Sequence, residues 1–470
     1  MSQRTNYLLK NMGILAISNF ATKFLTVFLV PLYTGILTTT EYGIFDLVST
    51  SVGLLLPILT LNITDAIMRF SLEQSWSKSD IGRIGVKYVL YSSAIVFIGL
   101  LFAYWLNIVP SINQYCGYFF LYYFCSAMTS FLSQYAKGCE KVKTIGIAGV
   151  IGTVLTVALN ILFLVVVKIG LHGFFLASIL SQGAVVIYYG ASLGLIEKIR
   201  TGQRNKALEQ QMLKYSAPLV SVTIGWWVNS AADKYVVSYL CGVDSNGILA
   251  VSYKLPTIMN SLQNIFTQAW QISAVKEYGS EDTGLFYGET FKRANLIMCA
   301  ACSWLILLSI PVSSVLFAKE FFAAWQYAPF LLISSVINNA SGMLGPILSA
   351  KKMTKPIALS AIYGAGANII MNIAFVYLIG VQGATIATVI SSFIIYAVRK
   401  RAVAGDIRID GYGVVLITWV LLCVQAVIEI YTTFWWTEII LMIVMLALNR
   451  KGIAEMFEKI VTTIQKRLKV

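Results

Sequence analysis

Three lysines lie within long apolar stretches of the chain: Lys23, Lys234 and Lys254. An ionisable side chain at the centre of a membrane helix costs about 2.5–3.5 kcal/mol on insertion scales, so it usually faces a partner or a water-filled cavity. Lys23 has Asn19 one helical turn before it and no carboxylate on its own apolar stretch. Because ammonium groups form charge-assisted hydrogen bonds, they suit an anionic ligand with several acceptor oxygens, such as a pyrophosphate.

Polar residues also recur every three or four positions around Lys254, which places them on one face of a helix. Similar polar stripes occur on the first, second and seventh apolar stretches, and we expect all four to line one central cavity. The predicted ligand-binding residues are Lys23, Lys234, Lys254, Asn19, Asn264 and Gln268, with Arg69 guiding entry of the ligand from the cytoplasmic side.

Three carboxylates lie on the same set of stretches: Asp46, Asp65 and Asp233. Ionisable groups near a transport path are typical of proton relays and ion sites, so these residues are predicted to couple transport to a proton or sodium gradient. An alternative remains open for each of them. Asp233 could pair with a neighbouring lysine, and Asp46 and Asp65 could lie at a helix interface. No bound cofactor is predicted.

The composition indicates an integral membrane protein without an enzymatic centre. Of the 470 residues, 58% are hydrophobic and 12% are charged, whereas soluble proteins carry about 25% charged residues. A single histidine, His172, argues against metal or acid–base sites built from histidine, and seven cysteines do not form a disulfide framework. We therefore expect the protein not to be an enzyme.

Apolar runs of about 20 residues, each long enough to cross a bilayer, recur along the chain. They predict an all-α membrane protein with about fourteen transmembrane helices, near residues 12–32, 44–67, 88–107, 114–136, 144–167, 171–195, 216–240, 246–270, 294–317, 322–349, 357–379, 381–398, 412–430 and 434–449. The remaining segment, 450–470, has apolar residues at helical spacing between lysines and arginines, and is predicted to be an amphipathic helix on the cytoplasmic leaflet.

The distribution of positive charge predicts the orientation of these spans. With a cytoplasmic N-terminus, 30 of the 35 lysines and arginines fall in cytoplasmic segments, as the positive-inside rule requires. Both termini are therefore predicted to be cytoplasmic. The net charge of +14 then reports membrane orientation, and no nucleic-acid partner is expected.

Short matches between the two parts of the chain indicate an internal duplication. Asn160 and Asn372 are separated by 212 residues, and the run Gly170–Gly173 matches Gly380–Gly383 at an offset of 210. The predicted organisation is two parallel six-helix repeats, 1–205 and 206–402, followed by two further transmembrane helices, 403–449, and the tail 450–470. Parallel repeats of this kind bind substrate between their halves in several transporter folds.

Four runs of residues carry a resemblance to a known family. They are Glu41–Asp46 (EYGIFD), the pair Asp233-Lys234, Gly247–Lys254 (GILAVSYK) and Gly380–Ala384 (GVQGA). With them the whole chain resembles the Wzx-like oligosaccharide flippases of polysaccharide biosynthesis, in the multidrug/oligosaccharidyl-lipid/polysaccharide transporter superfamily. The resemblance implies two six-helix bundles around a cationic cavity. It carries over no fixed set of binding residues.

The resemblance also implies a function. It is the transfer of a polyprenyl-pyrophosphate-linked oligosaccharide from the cytoplasmic to the outer leaflet of the bacterial inner membrane, by alternating access. The implied partners are this lipid-linked substrate, membrane lipids and, as a further association, the polysaccharide polymerase machinery.

Three alternative functions remain. A multidrug exporter of the same superfamily is expected to place carboxylates in its cavity, whereas the first apolar stretch carries a lysine. A lipid II flippase would share the fourteen-helix pattern. A membrane polysaccharide polymerase or glycosyltransferase would need a large outer loop or a catalytic domain, and no stretch between the predicted spans is long enough for either.

Overall fold

The computed structural model describes residues 29–450, except 74, 108–112, 280–281, 352, 406, 410–411 and 433. Asn19, Lys23 and the predicted tail helix beyond residue 450 lie outside the described residues. The chain divides into two compact units, Met1–Trp227 and Val228–Val470. All regular structure in the described part is helical, which confirms the prediction of an all-α fold.

In its described residues, the first unit contains eight helices and the first part of a ninth. They are α1 (Val30–Ile36), α2 (Thr39–Leu59), α3 (Ile63–Ser71), α4 (Lys78–Trp105), α5 (Cys116–Gly138), α6 (Val142–Asn160, continued by a π-helical segment Ile161–Val166), α7 (Gly170–Leu193), α8 (Leu195–Thr201) and α9 (Lys206–Cys241). Helix α5 packs against α3, α4 and α7, and α6 packs against α7. The division between the units falls within α9.

The predicted second span is interrupted in the structure. Helix α2 begins with a capping box, in which Thr38 Oγ1 accepts from the Glu41 amide and Glu41 accepts from the Thr38 amide. Pro57 lies inside its last turn, and the helix ends at Leu59. Leu61 and Asn62 then adopt left-handed backbone conformations, each with φ of 51°, before α3 begins. A left-handed leucine is strained, so this break is a specified feature of the fold.

The described part of the second unit contains the rest of α9 and nine further helices. They are α10 (Val243–Ser252), α11 (Lys254–Lys276), α12 (Thr283–Leu307), α13 (Ser309–Leu316), α14 (Ala328–Ala350), α15 (Thr354–Ile379), α16 (Val381–Ala402), α17 (Tyr412–Tyr431) and α18 (Trp435–Leu448), with a 3₁₀ segment at Lys319–Gln326. Helix α14 packs against α11, α12, α16 and α17 and is largely buried, so it forms the centre of this unit.

Two local features shape the second unit. Helices α12 and α13 are bent by 65° at Leu308. Between α15 and α16 the chain turns at Gly380, whose φ of 65° favours glycine. Three residues later, a Cβ atom on Gly383 would lie against the carbonyl oxygen of Phe375. Glycine at this position therefore allows α15 and α16 to pack closely.

The helices agree with the predicted spans from 44–67 onward, each of which coincides with one helix or with two helices separated by a short break. Within the described part of the chain, eight helices are long and apolar enough to cross a membrane, or nine if α12 and α13 form one bent span. The chain is a multi-pass membrane protein. The total of fourteen spans stays a prediction.

Candidate functional site

In the second unit, Tyr253 joins two of the predicted site residues. Asp233 lies on α9 with 2% of its surface exposed, and its Oδ2 atom accepts a hydrogen bond from the hydroxyl of Tyr253. Lys234 Nζ lies 5.8 Å from the centroid of the Tyr253 ring, within the range of a cation–π interaction. Tyr253 separates α10 from α11. Through these two contacts, the junction between α10 and α11 packs against α9.

Lys254 is the first residue of α11 and is partly buried. Pro256 lacks an amide hydrogen, so it cannot donate to the carbonyl of Ser252, where α10 ends. Tyr253 itself keeps a helical backbone conformation, and the amide of Thr257 donates to its carbonyl at 3.2 Å, so the interruption is confined to this point of the span. Lys254 adds a full positive charge there. The structure thus places Asp233 and Lys234 against Tyr253, and Lys254 is the next residue along the chain.

Asn264 is not part of this cluster. It lies ten residues beyond Lys254, which corresponds to about 15 Å along a helix, and it is exposed. The side chain of Gln268 lies outside the described residues. Between these positions, the hydroxyls of Thr257 and Ser261 donate to backbone carbonyls of their own segment, at 2.8 and 2.7 Å. The hydroxyls of Thr257 and Ser261 are therefore already hydrogen-bonded to the backbone one turn before them.

In the first unit, Asp65 is held by two neutral amides. Asn62 Nδ2 donates to Asp65 Oδ2 at 2.8 Å, and Gln134 Nε2 donates to Asp65 Oδ1 at 3.2 Å. Asp65 lies in the first turn of α3, where the helix dipole favours a negative charge. Among the described residues Asp65 has no lysine or arginine partner. The carboxylate therefore sits at the break of the second span, bridging α3 to α5.

The other predicted residues of the first unit lie apart from Asp65. Arg69 is one turn further along α3, with its side chain 56% exposed, and forms an ion pair with Glu73 at 3.2 Å. Asp46 is partly buried on α2. The predicted set thus divides between the units: Asp46, Asp65 and Arg69 belong to the first, and Asp233, Lys234, Lys254, Asn264 and Gln268 belong to the second.

Both polar clusters lie at helix breaks. The break at residues 60–62 interrupts the second predicted span, and Tyr253 interrupts the eighth. These spans are equivalent in the predicted duplication. Discontinuous helices in corresponding positions of two repeats are typical of substrate and ion sites in transporters, because they expose backbone polar groups and helix termini within the membrane.

An ion pair outside the apolar spans holds the start of α9 against α4. Lys87 Nζ lies 2.6 Å from Glu209 Oε1, and the Tyr88 hydroxyl donates to the same atom at 2.9 Å. Burial acts to raise the pKa of Glu209, but these hydrogen bonds and the charge of Lys87 outweigh it and hold that pKa below its ordinary value. Arg83 also donates to the carbonyl of Gly202 at 2.7 Å. The start of α9 is thereby fastened to α4.

Sequence reasoning missed Gln134 and Tyr253, the partners of the predicted carboxylates. Both are uncharged residues in an apolar environment, where nothing in their spacing separates them from ordinary packing residues. One signal was available for Tyr253, because it precedes Lys254 and lies three residues before Pro256. A proline in a polar stretch of a predicted span indicates where a helix breaks.

Comparison with known proteins agrees with this architecture. A family model described as polysaccharide biosynthesis protein matches residues 8–271. A structure of the lipid II flippase MurJ in an inward closed conformation is similar with a TM-score of 0.68 and 13% identity, covering 95% of this chain and 99% of that chain. No curated protein sequence is similar enough to count as a relative.

Two further solved structures share the fold. An inward-facing multidrug resistance MATE family transporter of the MOP superfamily has a TM-score of 0.63 and 15% identity, over 89% of this chain and 99% of that chain. A MOP superfamily transporter from Pyrococcus furiosus has a TM-score of 0.54 and 13% identity, over 90% of this chain and 94% of that chain. At these identities the similarity establishes the fold alone.

Proposed function

Because this chain belongs to the polysaccharide biosynthesis protein family, we propose that it is a flippase for a polyprenyl-pyrophosphate-linked oligosaccharide. In this proposal the substrate moves from the cytoplasmic to the outer leaflet of a bacterial inner membrane. The observation that carries the proposal is the contact of Lys234 with the ring of Tyr253, the residue that interrupts the eighth span directly before Lys254.

The pyrophosphate is the part of the substrate that these residues bind. Lys234 and Lys254 supply charge-assisted donors to its oxygens, and the predicted Lys23 joins them. The partly exposed Arg69 meets the diphosphate first at the cytoplasmic side, while the polyprenyl tail stays in the bilayer. Asn19, Asn264 and Gln268 offer amides to the sugar hydroxyls. Alternating exposure of the site arises from movement of the predicted repeats 1–205 and 206–402.

Coupling to an ion gradient is assigned to Asp65 and Asp233, with Asp46 as a further candidate. Asp65 lies beside the break in the second span and accepts hydrogen bonds from two neutral amides, and the buried Asp233 accepts one from Tyr253 at the interruption of the eighth. Adding a proton or a sodium ion to such a carboxylate changes which of these hydrogen bonds it can accept. Binding of the ion would then alter the geometry of the break.

The test is deletion of the gene, followed by identification of the lipid-linked glycan that accumulates on the cytoplasmic leaflet. The proposal predicts a lipid-linked oligosaccharide, whose export is restored by the wild-type gene and by a Lys137→Ala control but not by Lys254→Ala. Lys137 is an exposed lysine at the end of α5. Accumulation of lipid II, or drug sensitivity without any accumulated glycan, would contradict the proposal and favour the lipid II flippase or the multidrug exporter.

A further inference from the structure

Two glutamates are buried in the C-terminal helix pair. Glu429 on α17 is 6% exposed and Glu438 on α18 is 1% exposed. Both helices are strongly apolar, and neither carboxyl has a lysine or arginine partner among the residues that the structure describes. An isolated buried carboxylate is so costly that the group must be neutralised by some other means.

Gln425 lies one helical turn before Glu429 on α17 and contacts Glu438 on α18, so the two buried carboxyls are neighbours. Ser309 Oγ donates to Glu429 Oε1 at 2.6 Å, and Gln425 Nε2 approaches Glu438 Oε2 at 3.4 Å. Gln425 is itself oriented by Ser303, whose hydroxyl donates to Gln425 Oε1 at 2.8 Å. The pair is therefore surrounded by neutral hydrogen-bond donors from α12, α13 and α17.

A hydrogen bond between two carboxyl groups requires a proton on one of them, because ionised carboxylates are acceptors only. Two carboxylates sharing one buried position also repel each other strongly, and such pairs hold a proton in common. The burial and proximity of the two carboxyls therefore favour a single proton shared between them. Loss of the shared proton would leave two adjacent negative charges in an apolar environment.

The position of the pair relates it to the bend between α12 and α13. Ser309 is the first residue of α13, directly after the bend of 65° at Leu308. Ser313 lies one turn further on the same face of α13, is 0% exposed, and its hydroxyl has no hydrogen-bond partner in the described part of the chain.

Among the described residues, few other titratable groups lie on the elements around the pair. The 3₁₀ segment that packs against α13 carries Lys319 and Glu320. Helix α12 brings Cys299 and Cys302, and α17 brings Cys423, all as free thiols. The charged residues of α12, namely Glu289, Lys292 and Arg293, lie toward its other end. The other titratable residues of these two helices are tyrosines: Tyr287, Tyr412 and Tyr431. Helices α13 and α14 contain no titratable residue, and α18 contains only Glu438.

We propose that Glu429 and Glu438 form a binding site for one proton, which fastens the C-terminal helix pair to α13 at the bend. With the proton bound, the pair carries a single negative charge, and Ser309 stays hydrogen-bonded to it. When the proton leaves to water, repulsion between the carboxylates separates α17 from α18 and releases the start of α13. The site is independent of the coupling carboxylates and of the transported substrate.

Infrared spectroscopy of the full-length protein in lipid nanodiscs tests the proton directly. Wild type should show the carbonyl band of a protonated carboxyl at neutral pH, and the band should disappear at alkaline pH. The Glu429→Gln/Glu438→Gln variant should lack this band, whereas Glu289→Gln should keep it, because Glu289 is an exposed residue paired with Arg293. The proposal would be overturned if wild type showed no such band, or if its band remained in the double variant. Loss of the band on adding sodium at constant pH would also overturn it, by identifying a cation site.

Hydrogen exchange of the α13 amides tests the mechanical consequence. After correction for the intrinsic exchange rate, protection of Ser309–Leu316 in wild type should fall as the pH rises. In Glu438→Gln the amide donates to Glu429 without needing a proton, so protection should stay constant over the same range. Equal pH profiles in the two proteins would show that the proton does not hold α13.

Discussion

The hydroxyl of Tyr253 donates a hydrogen bond to the buried carboxylate of Asp233, joining the break between α10 and α11 to α9. The same tyrosine ring lies under the ammonium group of Lys234. Tyr253 thus contacts one residue assigned to ion coupling and one assigned to pyrophosphate binding. A change in the charge of Asp233 would therefore alter the position of Tyr253, and with it the environment of the Lys234 ammonium group.

Replacing Tyr253 by phenylalanine keeps the ring and removes the donor to Asp233. A hydrogen bond to a charged group is worth about 1.5–3 kcal/mol, so Tyr253→Phe should unfold at a lower temperature than wild type. The measurement is thermal unfolding in detergent. Tyr377→Phe is the control, since Tyr377 is 79% exposed. Equal destabilisation by both substitutions would show that the Asp233 contact contributes nothing specific.

Gly383→Ala should separate α15 from α16. The added methyl group would meet the backbone carbonyl of Phe375, which cannot move aside as a flexible side chain could. Overpacking of this kind costs about 1–3 kcal/mol, so the variant should accumulate less and unfold earlier. Gly366→Ala, on the same helix pair with nothing within 4 Å, should behave as wild type. A Gly383→Ala variant as stable as Gly366→Ala would refute the close helix approach.

The left-handed conformation of Leu61 predicts an unusual response to glycine. Left-handed backbone costs an L-residue about 1–2 kcal/mol, whereas glycine adopts it freely. Leu61→Gly should therefore preserve or raise the thermal stability, and Leu61→Val should lower it, because β-branched residues tolerate this conformation poorly. Leu90→Gly, at an exposed position inside α4, should lower it. If Leu61→Gly lowered the thermal stability as much as Leu90→Gly does, residue 61 would have an ordinary helical conformation instead of a left-handed one.

The contact between Lys87 and Glu209 predicts a dependence on pH. Because the pKa of Glu209 is held below its ordinary value, the ionised form stabilises the fold above the ordinary glutamate pKa of about 4.3. This contribution is lost as the pH falls through the lowered pKa. Glu209→Gln should therefore unfold earlier than wild type at neutral pH, and the difference should vanish in acid. A difference that persists unchanged at low pH would point to lost packing instead of lost charge.

The all-α membrane fold could be predicted from the sequence because it depends on long apolar runs and on the positions of lysine and arginine. Lys234, Lys254 and Asp233 could be singled out for the same reason: a charge in an apolar stretch needs an explanation. That rule applies equally to Glu429 and Glu438, which sequence reasoning did not single out.

Other features could not be predicted because they depend on neighbours distant in sequence. Asp65 is held by Gln134 across 69 residues, and no local pattern indicates that pairing. The helical spacing that grouped Asn264 with Lys254 ignored the distance along the helix axis. The left-handed conformation of Leu61 also leaves no signal, since leucine is not a residue that favours it.

The central claim is that the cationic break at Lys234 and Lys254 recognises a pyrophosphate. The most direct measurement is the flipping rate of polyprenyl-pyrophosphate and polyprenyl-monophosphate oligosaccharides in vesicles containing the purified protein. The account predicts faster flipping of the pyrophosphate substrate by wild type, and a loss of this preference in Lys234→Ala and Lys254→Ala but not in Lys137→Ala. An unchanged preference for the pyrophosphate in both lysine variants would contradict it.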